Sequence, residues 1–207
     1  YYFDMDGILQ TGTVIIDKKT YELDTDGSLK DYTPKKKSSK KKSSGKSDTS
    51  DKSGTSTAKK SVALTFDDGP SSFTDRLLDC LEENNAKATF FMVGTEIASF
   101  PDEVKRMKKL GCELGNHTYD HKDLATLSSD EISSEIARVD EQLVNLTGEG
   151  ASVVRPPYGS VNDTVKSTVG TPMILWSIDT LDWKTQDVES TVEEVMNNVK
   201  DGSIILM

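Results

Sequence analysis

Histidine, cysteine and tryptophan are nearly absent, with two of each in 207 residues. Two cysteines, Cys80 and Cys112, permit at most one internal disulfide, so no disulfide framework holds this chain together. Buried free thiols are the expected state of both. No apolar run approaches the ~18 residues of a membrane span. Hydrophobic residues make up 34% of the chain, low for a wholly globular protein, so part of it should be unfolded or very polar. There is no Met at position 1 and no signal-like segment, and Ser203-Ile204-Ile205-Leu206-Met207 ends the chain on a strand pattern with no turn after it. The sequence reads as a piece cut at both ends.

Positive charge is also scarce outside one stretch. Residues 34–60 carry +8, residues 1–33 carry −4 and residues 61–207 carry −14. An acidic body of this kind repels phosphates, which excludes nucleic acid as the main partner. The basic stretch, rich in Lys, Ser, Thr and Gly, has no aromatic and no large aliphatic residue. Such a composition cannot repay the entropy of ordering, and residues 34–60 read as a flexible linker.

What precedes the linker repeats itself at a twenty-residue offset. Tyr1, Asp4, Asp6, Gly7 and Leu9 match Tyr21, Asp24, Asp26, Gly27 and Leu29. Each unit reads as a small β-hairpin around a tight Asp-x-Asp-Gly turn. Hairpins this small bury a core only when stacked in an array. Residues 1–33 resemble the cell-wall-binding repeats of Gram-positive surface proteins, whose aromatic cages hold choline or glucan. Thr13 stands where such repeats usually carry Trp, and no Trp occurs before Trp176. A ligand-binding role and a spacer role therefore both remain open.

From Ser61 the pattern changes. Apolar runs at 62–66, 88–93, 112–116, 151–154, 173–178 and 203–207 alternate with helical stretches near 72–85, 101–110, 128–147 and 188–200. In the clearest helix, Ser128 and Glu131 form a capping box. Ile132, Ile136, Val139, Leu143 and Leu146 make the apolar face, and Gly148 ends it. Strand–helix alternation predicts an α/β fold with a mainly parallel sheet. In such folds chemistry collects at the carboxyl ends of the strands.

Chemically capable residues fall at those ends. The first run delivers Asp67 and Asp68 to a Gly-Pro turn, and alternation along the strand predicts that the two carboxylates point different ways. Taken alone, the pair more often reads as an Asp-rich turn capping the next helix. The third run leads into His117-Thr118-Tyr119-Asp120-His121, which contains both histidines of the chain. If this segment turns helically, both imidazoles share a face at a spacing suited to one metal ion. Two imidazoles and a carboxylate form a typical ligand set for a catalytic metal, with Asp68 the candidate third ligand and Asp67 the candidate proton acceptor. Zinc is the expected ion from ligand type, with cobalt, nickel or manganese able to substitute, and such an ion lowers the pKa of bound water to about 7.

The fourth run ends in Arg155-Pro156-Pro157-Tyr158-Gly159. Here Arg155 can fix and ionise Asp67 through a bidentate pair, and a backbone N–H of the turn can face an oxyanion. The same segment also reads as a stiff structural turn. The fifth run ends in Asp179-Thr180-Leu181-Asp182-Trp183, adding a carboxylate and an aromatic wall, or simply a cap and a rim. Cleavage of a glycosidic bond by Asp67 and Asp68 is disfavoured. Adjacent residues cannot easily flank a sugar at the needed separation of about 5–9.5 Å.

The ordered set TFDDGP, HTYDH, RPPYG and DTLDW resembles the polysaccharide deacetylases of the NodB-homology class (carbohydrate esterase family 4) over essentially all of residues 61–207. The resemblance implies a distorted (β/α) barrel with fewer than eight regular units, holding one divalent metal in a groove for glycan chains. Residue by residue, Asp67 resembles the catalytic base, and Asp68, His117 and His121 the metal ligands. Arg155 matches the residue that orients the base. By the same resemblance Tyr158 lends its N–H to the oxyanion, Trp183 walls the acetyl pocket, and Asp179 tunes a catalytic-acid histidine of a final Leu-x-His motif. Leu206 matches the leucine of that motif, and the histidine would follow Met207. Without it residues 1–207 are expected to be inactive. The implied reaction is metal-dependent removal of acetyl from N-acetylated sugars. Peptidoglycan N-acetylglucosamine is the expected substrate, and chitin oligomers, poly-N-acetylglucosamine and acetylxylan are the alternatives. The rival reading is a wall-attached glycan-binding protein with an inactive barrel. Both place the protein outside the cell, at the wall of a Gram-positive-type bacterium.

Overall fold

The computed structural model describes residues 12–16, 19–23 and 60–207, which fall into two compact units. In the first, β1 (Gly12–Ile16) pairs antiparallel with β2 (Lys19–Leu23), with Gly12 opposite Leu23 and Ile16 opposite Lys19. Both Asp-x-Asp-Gly turns, and all of the linker but Lys60, lie outside the described residues, as do the hairpins expected around those turns.

The second unit alternates strand and helix. It runs β3 (Ala63–Gly69), α1 (Thr74–Glu83), β4 (Thr89–Met92), α2 (Gly94–Ile97), α3 (Pro101–Leu110), β5 (Glu113–Asn116) and α4 (Ser129–Thr147). Then come β6 (Val153–Val154), α5 (Asp163–Thr168), β7 (Ile178–Asp179), α6 (Asp182–Thr185), α7 (Val188–Asn198) and β8 (Ile204–Leu206). The six strands form one parallel sheet in the order β6-β5-β4-β3-β8-β7. The sheet is not closed, which is the form a distorted (β/α) barrel takes.

Local chemistry sets the long helices. α3 opens with Pro101, whose fixed φ suits a first helical turn, and stops at Gly111 in the left-handed region (φ 74°). In α4 the Glu131 N–H points to Ser128 Oγ while the Glu131 carboxylate accepts the Ser128 N–H at 2.9 Å, and Gly148 (φ 82°) closes the helix. The apolar faces of α1, α3 and α4 meet β4 and β5 in a core that includes Leu78, Phe90, Met92, Ile97, Val104, Met107, Leu114, Val139 and Leu143. A smaller cluster of Leu124, Ile132, Val154, Val165 and Val169 closes the β6 side. Cys112 joins the main core as a free thiol, but Cys80 is exposed on α1, so the expectation of two buried thiols holds for one.

The run at 173–178 departs from a strand. Only Ile178–Asp179 is regular, and Met173 makes an isolated bridge to Val154. The carbonyls of Ile174 and Leu175 accept from the Arg155 guanidinium at 3.1 and 3.0 Å, so this backbone wraps a buried cation instead of continuing a ladder.

Candidate active site

Every expected site residue of β3, β5, β6, β7 and β8 lies at or just past the carboxyl end of its strand, on one edge of the sheet. A cavity of about 530 Å³ opens there, lined by Asp67, Asp68, His117, His121, Tyr158, Asp179, Trp183 and Leu206, together with Trp176, Asp182 and Met207. Arg155 lies beneath it, fully buried.

Both aspartates belong to β3 itself, which bulges between Phe66 and Gly69, and Asp68 adopts a left-handed backbone (φ 64°). Plain alternation would send the two carboxylates apart. The bulge turns Asp68 back, so both carboxylates reach one imidazole. Asp67 Oδ2 lies 3.6 Å and Asp68 Oδ1 3.5 Å from His117 Nε2. Their surroundings still differ, since the side chain of Asp67 is 12% exposed and that of Asp68 69%.

The two histidines converge, but by another route than a helical turn. Residues 117–121 form a loop in which Thr118 (φ 68°) and His121 (φ 54°) are left-handed. The imidazole centroids stand 4.9 Å apart, and His121 Nε2 is 3.2 Å from Asp68 Oδ1. Against the His117 Nδ1 at 2.6 Å lies the Arg155 carbonyl, which can only accept. The proton therefore sits on Nδ1 and leaves a lone pair on Nε2, the atom facing both aspartates. Burial pushes the His117 pKa down to about 3, so the ring is neutral near pH 7.

Arg155 holds Asp67 by a single strand of its fork. Nη1 donates to Asp67 Oδ1 at 2.7 Å and to Thr65 Oγ1 at 2.8 Å, while Nε and Nη2 serve the Ile174 and Leu175 carbonyls. The expected bidentate pair is absent because two backbone acceptors claim the other donors. The guanidinium lies over Phe91 at 4.1 Å. The expectation that Arg155 ionises Asp67 is also corrected. Burial raises the Asp67 pKa to about 7 and outweighs the pull of Arg155, with Asp68 and Asp182 adding repulsion. A carboxylate poised near neutrality is well matched to exchanging a proton at neutral pH.

The remaining motif residues close the cavity. Tyr158 is left-handed (φ 62°) in a 3-10 turn over Pro157–Gly159, and its ring stands edge-on to His121 with centroids 4.9 Å apart. Asp179 Oδ1 accepts the Leu181 N–H at 2.9 Å and the Trp183 indole N–H at 3.3 Å, which fixes the Trp183 ring beside the opening. Trp183 and Asp182 belong to α6, which no sequence signal announced. β8 runs beside β3, and Asp67 N–H donates to the Met207 carbonyl at 2.9 Å, which brings Leu206 and Met207 to the cavity wall.

Sequence reasoning gave no role to Trp176, Thr65 or the residues supporting the histidine loop. Trp176 lines the cavity and packs against Gly159, but it lies inside an apolar run that reads as core. Thr65 is buried and also donates to the Ile205 carbonyl at 2.6 Å, tying β8 to the Arg155 network. Among the described residues, Asp68, His117 and His121 are the group that could hold a metal ion, their ligand atoms lying within 4.8 Å of one another. The donor set fits. The 3.2 and 3.5 Å separations from Asp68 Oδ1 match the edge of a tetrahedron with ligand bonds of about 2.0–2.2 Å, and neutral imidazole plus carboxylate suits a borderline divalent ion.

Comparison with known proteins agrees with this geometry. The family model described as polysaccharide deacetylase matches residues 54–171. The chain is 41% identical over 149 residues to the peptidoglycan-N-acetylglucosamine deacetylase PgdA of Listeria monocytogenes, covering 72% of this chain and 32% of that protein. It is 43% identical over 152 residues to the peptidoglycan-N-acetylglucosamine deacetylase of Bacillus cereus, covering 72% and 55%. It thus spans about a third to a half of the length of these relatives. The solved structure of T48 deacetylase with substrate superimposes with a TM-score of 0.70 at 43% identity, covering 72% of this chain and 74% of that one. With a parallel α/β sheet shared with solved deacetylases and a family match over more than half its residues, the chain belongs to the polysaccharide deacetylase family.

Proposed function

We propose that this chain is the catalytic module of a metal-dependent N-deacetylase that releases acetate from N-acetylglucosamine units of peptidoglycan. The observation that carries this reading is the convergence of Asp68, His117 and His121 beside a buried Asp67 held by Arg155. The names of the Listeria and Bacillus relatives support the substrate.

Asp68 Oδ1 and the Nε2 atoms of both histidines would hold the ion, zinc by ligand type, with cobalt, nickel or manganese able to take its place. A divalent ion held there acidifies a water molecule and polarises an acyl oxygen. Asp67 takes the proton of the attacking water on Oδ2, since Oδ1 is engaged by Arg155. The Tyr158 N–H donates to the oxygen that gains charge as the acetamide carbon becomes tetrahedral. Trp183, positioned by Asp179, and Leu206 bound the space for the acetyl methyl. The C–N bond then breaks, and the departing amine takes its proton from a histidine assigned to the position after Met207 and tuned by Asp179.

Within the same proposal, the N-terminal repeats attach the protein to wall polymer outside a Gram-positive-type cell. No helix among the described residues is long and apolar enough to cross a membrane. The test is acetate release by the full-length protein from purified peptidoglycan, chitin oligomers and acetylxylan. Fastest release from peptidoglycan is expected. Retention on peptidoglycan without any acetate release would identify a binding module instead, and release from acetylxylan alone would identify an O-esterase.

A further inference from the structure

Between the two histidines the chain exposes three successive backbone N–H groups, those of Thr118, Tyr119 and Asp120. None is satisfied by a regular ladder. Asn116 Oδ1 accepts from Thr118 at 2.9 Å, and Glu135 Oε2 accepts from both Tyr119 (2.9 Å) and Asp120 (2.8 Å). Consecutive N–H groups turned inward around a left-handed residue form an anion-binding concavity, and here the anion is a side chain of the protein itself. Glu135 comes from the middle of α4, and its side chain is 5% exposed. Ionised groups are rarely buried so deeply unless fully partnered. Its second oxygen faces Lys122 Nζ at 3.0 Å.

The same helix grips the loop at other points. Asn116 Nδ2 donates to the Ile136 carbonyl and to Asp140, and Arg138 lies 3.2 Å over the Tyr119 ring. On its other side Tyr119 packs against Gly94, where an added Cβ would press into the ring and against the Tyr119 backbone. The loop thus has one seat, and Glu135 is its charged centre.

The geometry points to Glu135 as a positioning residue for the metal ligands. Its carboxylate holds the Tyr119 and Asp120 backbone, which lies between left-handed Thr118 and His121, in the path that brings His117 Nε2 and His121 Nε2 to a common point beside Asp68. This rests on the metal-site reading above. Two of the four residues from 118 to 121, Tyr119 and Asp120, would otherwise carry unpartnered N–H groups or relax, and two of those four positions are left-handed non-glycine residues that relax readily. Charge-assisted bonds from two N–H groups to one oxygen provide the restraint.

The test is titration of the metal-free full-length protein with zinc by calorimetry, and with cobalt to follow its ligand-field absorption, alongside a thermal melt of each metal-free variant. Glu135→Ala should weaken metal affinity about 10- to 100-fold and alter the cobalt spectrum. Glu135→Gln keeps one neutral acceptor oxygen and should lose only about 2- to 10-fold. Lys122→Ala removes the exposed partner of Glu135 but neither N–H bond, and should stay within about threefold of the parent. Should Glu135→Ala fail to fold, the Gln variant decides. Affinities of the Ala or Gln variant within twofold of the parent would overturn the role of Glu135 while leaving the metal site standing. Failure of the parent protein to bind zinc or cobalt would overturn the metal site and this inference together.

Discussion

Replacing Arg155 by lysine tests whether the fork geometry, rather than the charge alone, holds the site together. The guanidinium serves four acceptors at once: Thr65 Oγ1, Asp67 Oδ1, and the carbonyls of Ile174 and Leu175. It is fully buried and stacks on Phe91. A lysine ammonium has three donors on a shorter reach, so at least one acceptor loses its partner in a place water does not enter. An unserved buried acceptor costs about 1–3 kcal/mol, and loss of a desolvated cation–π contact adds about 1–2 kcal/mol. A total of about 2–5 kcal/mol corresponds to a fall in Tm of roughly 4–20 °C for a domain of this size. Differential scanning calorimetry of the metal-free protein reads this directly. Arg155→Met then isolates the charge. It removes the group that pulls the Asp67 pKa down, so the acidic limb of the acetate-release profile should move to higher pH. A lysine variant melting within about 2 °C of the parent, or a methionine variant with an unmoved acidic limb, would refute the reasoning.

The pH dependence of stability in the metal-free protein should show two opposed contributions. Burial raises Asp67 to about 7, so its contribution is fully present below its unfolded pKa of 3.8 and is lost as pH rises through 7. Burial lowers His117 to about 3, so its contribution is present above 6.5 and is lost as pH falls toward 3. Between 3.8 and 6.5 the two slopes offset each other, and Asp67→Asn should expose the His117 slope: denaturation midpoints falling as pH drops across this window. A flat profile in that variant would contradict the assignment. Separately, a Cβ at Gly115 would fall 2.5 Å from the Phe91 ring that underlies Arg155. Gly115→Ala should therefore cost about 1–3 kcal/mol by overpacking, measured by urea denaturation.

Much of the fold could be read along the chain because local signals agreed with tertiary structure. Pro101 and Gly111 bound α3, and Ser128, Glu131 and Gly148 bound α4, because caps depend on neighbouring residues alone. The candidate-site motifs were legible because a parallel sheet collects its strand ends on one edge. What escaped reading depends on distant contacts. The 173–178 run looks like a strand, yet two of its carbonyls are spent on the guanidinium of Arg155, just past β6 and 19 and 20 residues earlier. The convergence of Asp67 and Asp68 relies on a bulge, and that of the histidines on two left-handed residues, neither of which periodicity reveals. Glu135 sits among Ile132, Ile136 and Val139 on the buried side of α4, where a charge reads as an interruption until its N–H partners are known. The Asp67 pKa was misjudged for a related reason, since sequence suggests the arginine but not how dry the site is.

The central claim is that Asp68, His117 and His121 hold one divalent ion whose chemistry Asp67 completes. The most direct measurement is acetate release from peptidoglycan by the full-length protein before chelation, after chelation, and after return of one equivalent of zinc. Asp67→Asn is carried through the same series. The account predicts that activity disappears on chelation and returns with zinc, and that the Asp67 variant stays inactive while still binding the metal. Acetate release that survives chelation, or that persists in Asp67→Asn, would contradict it.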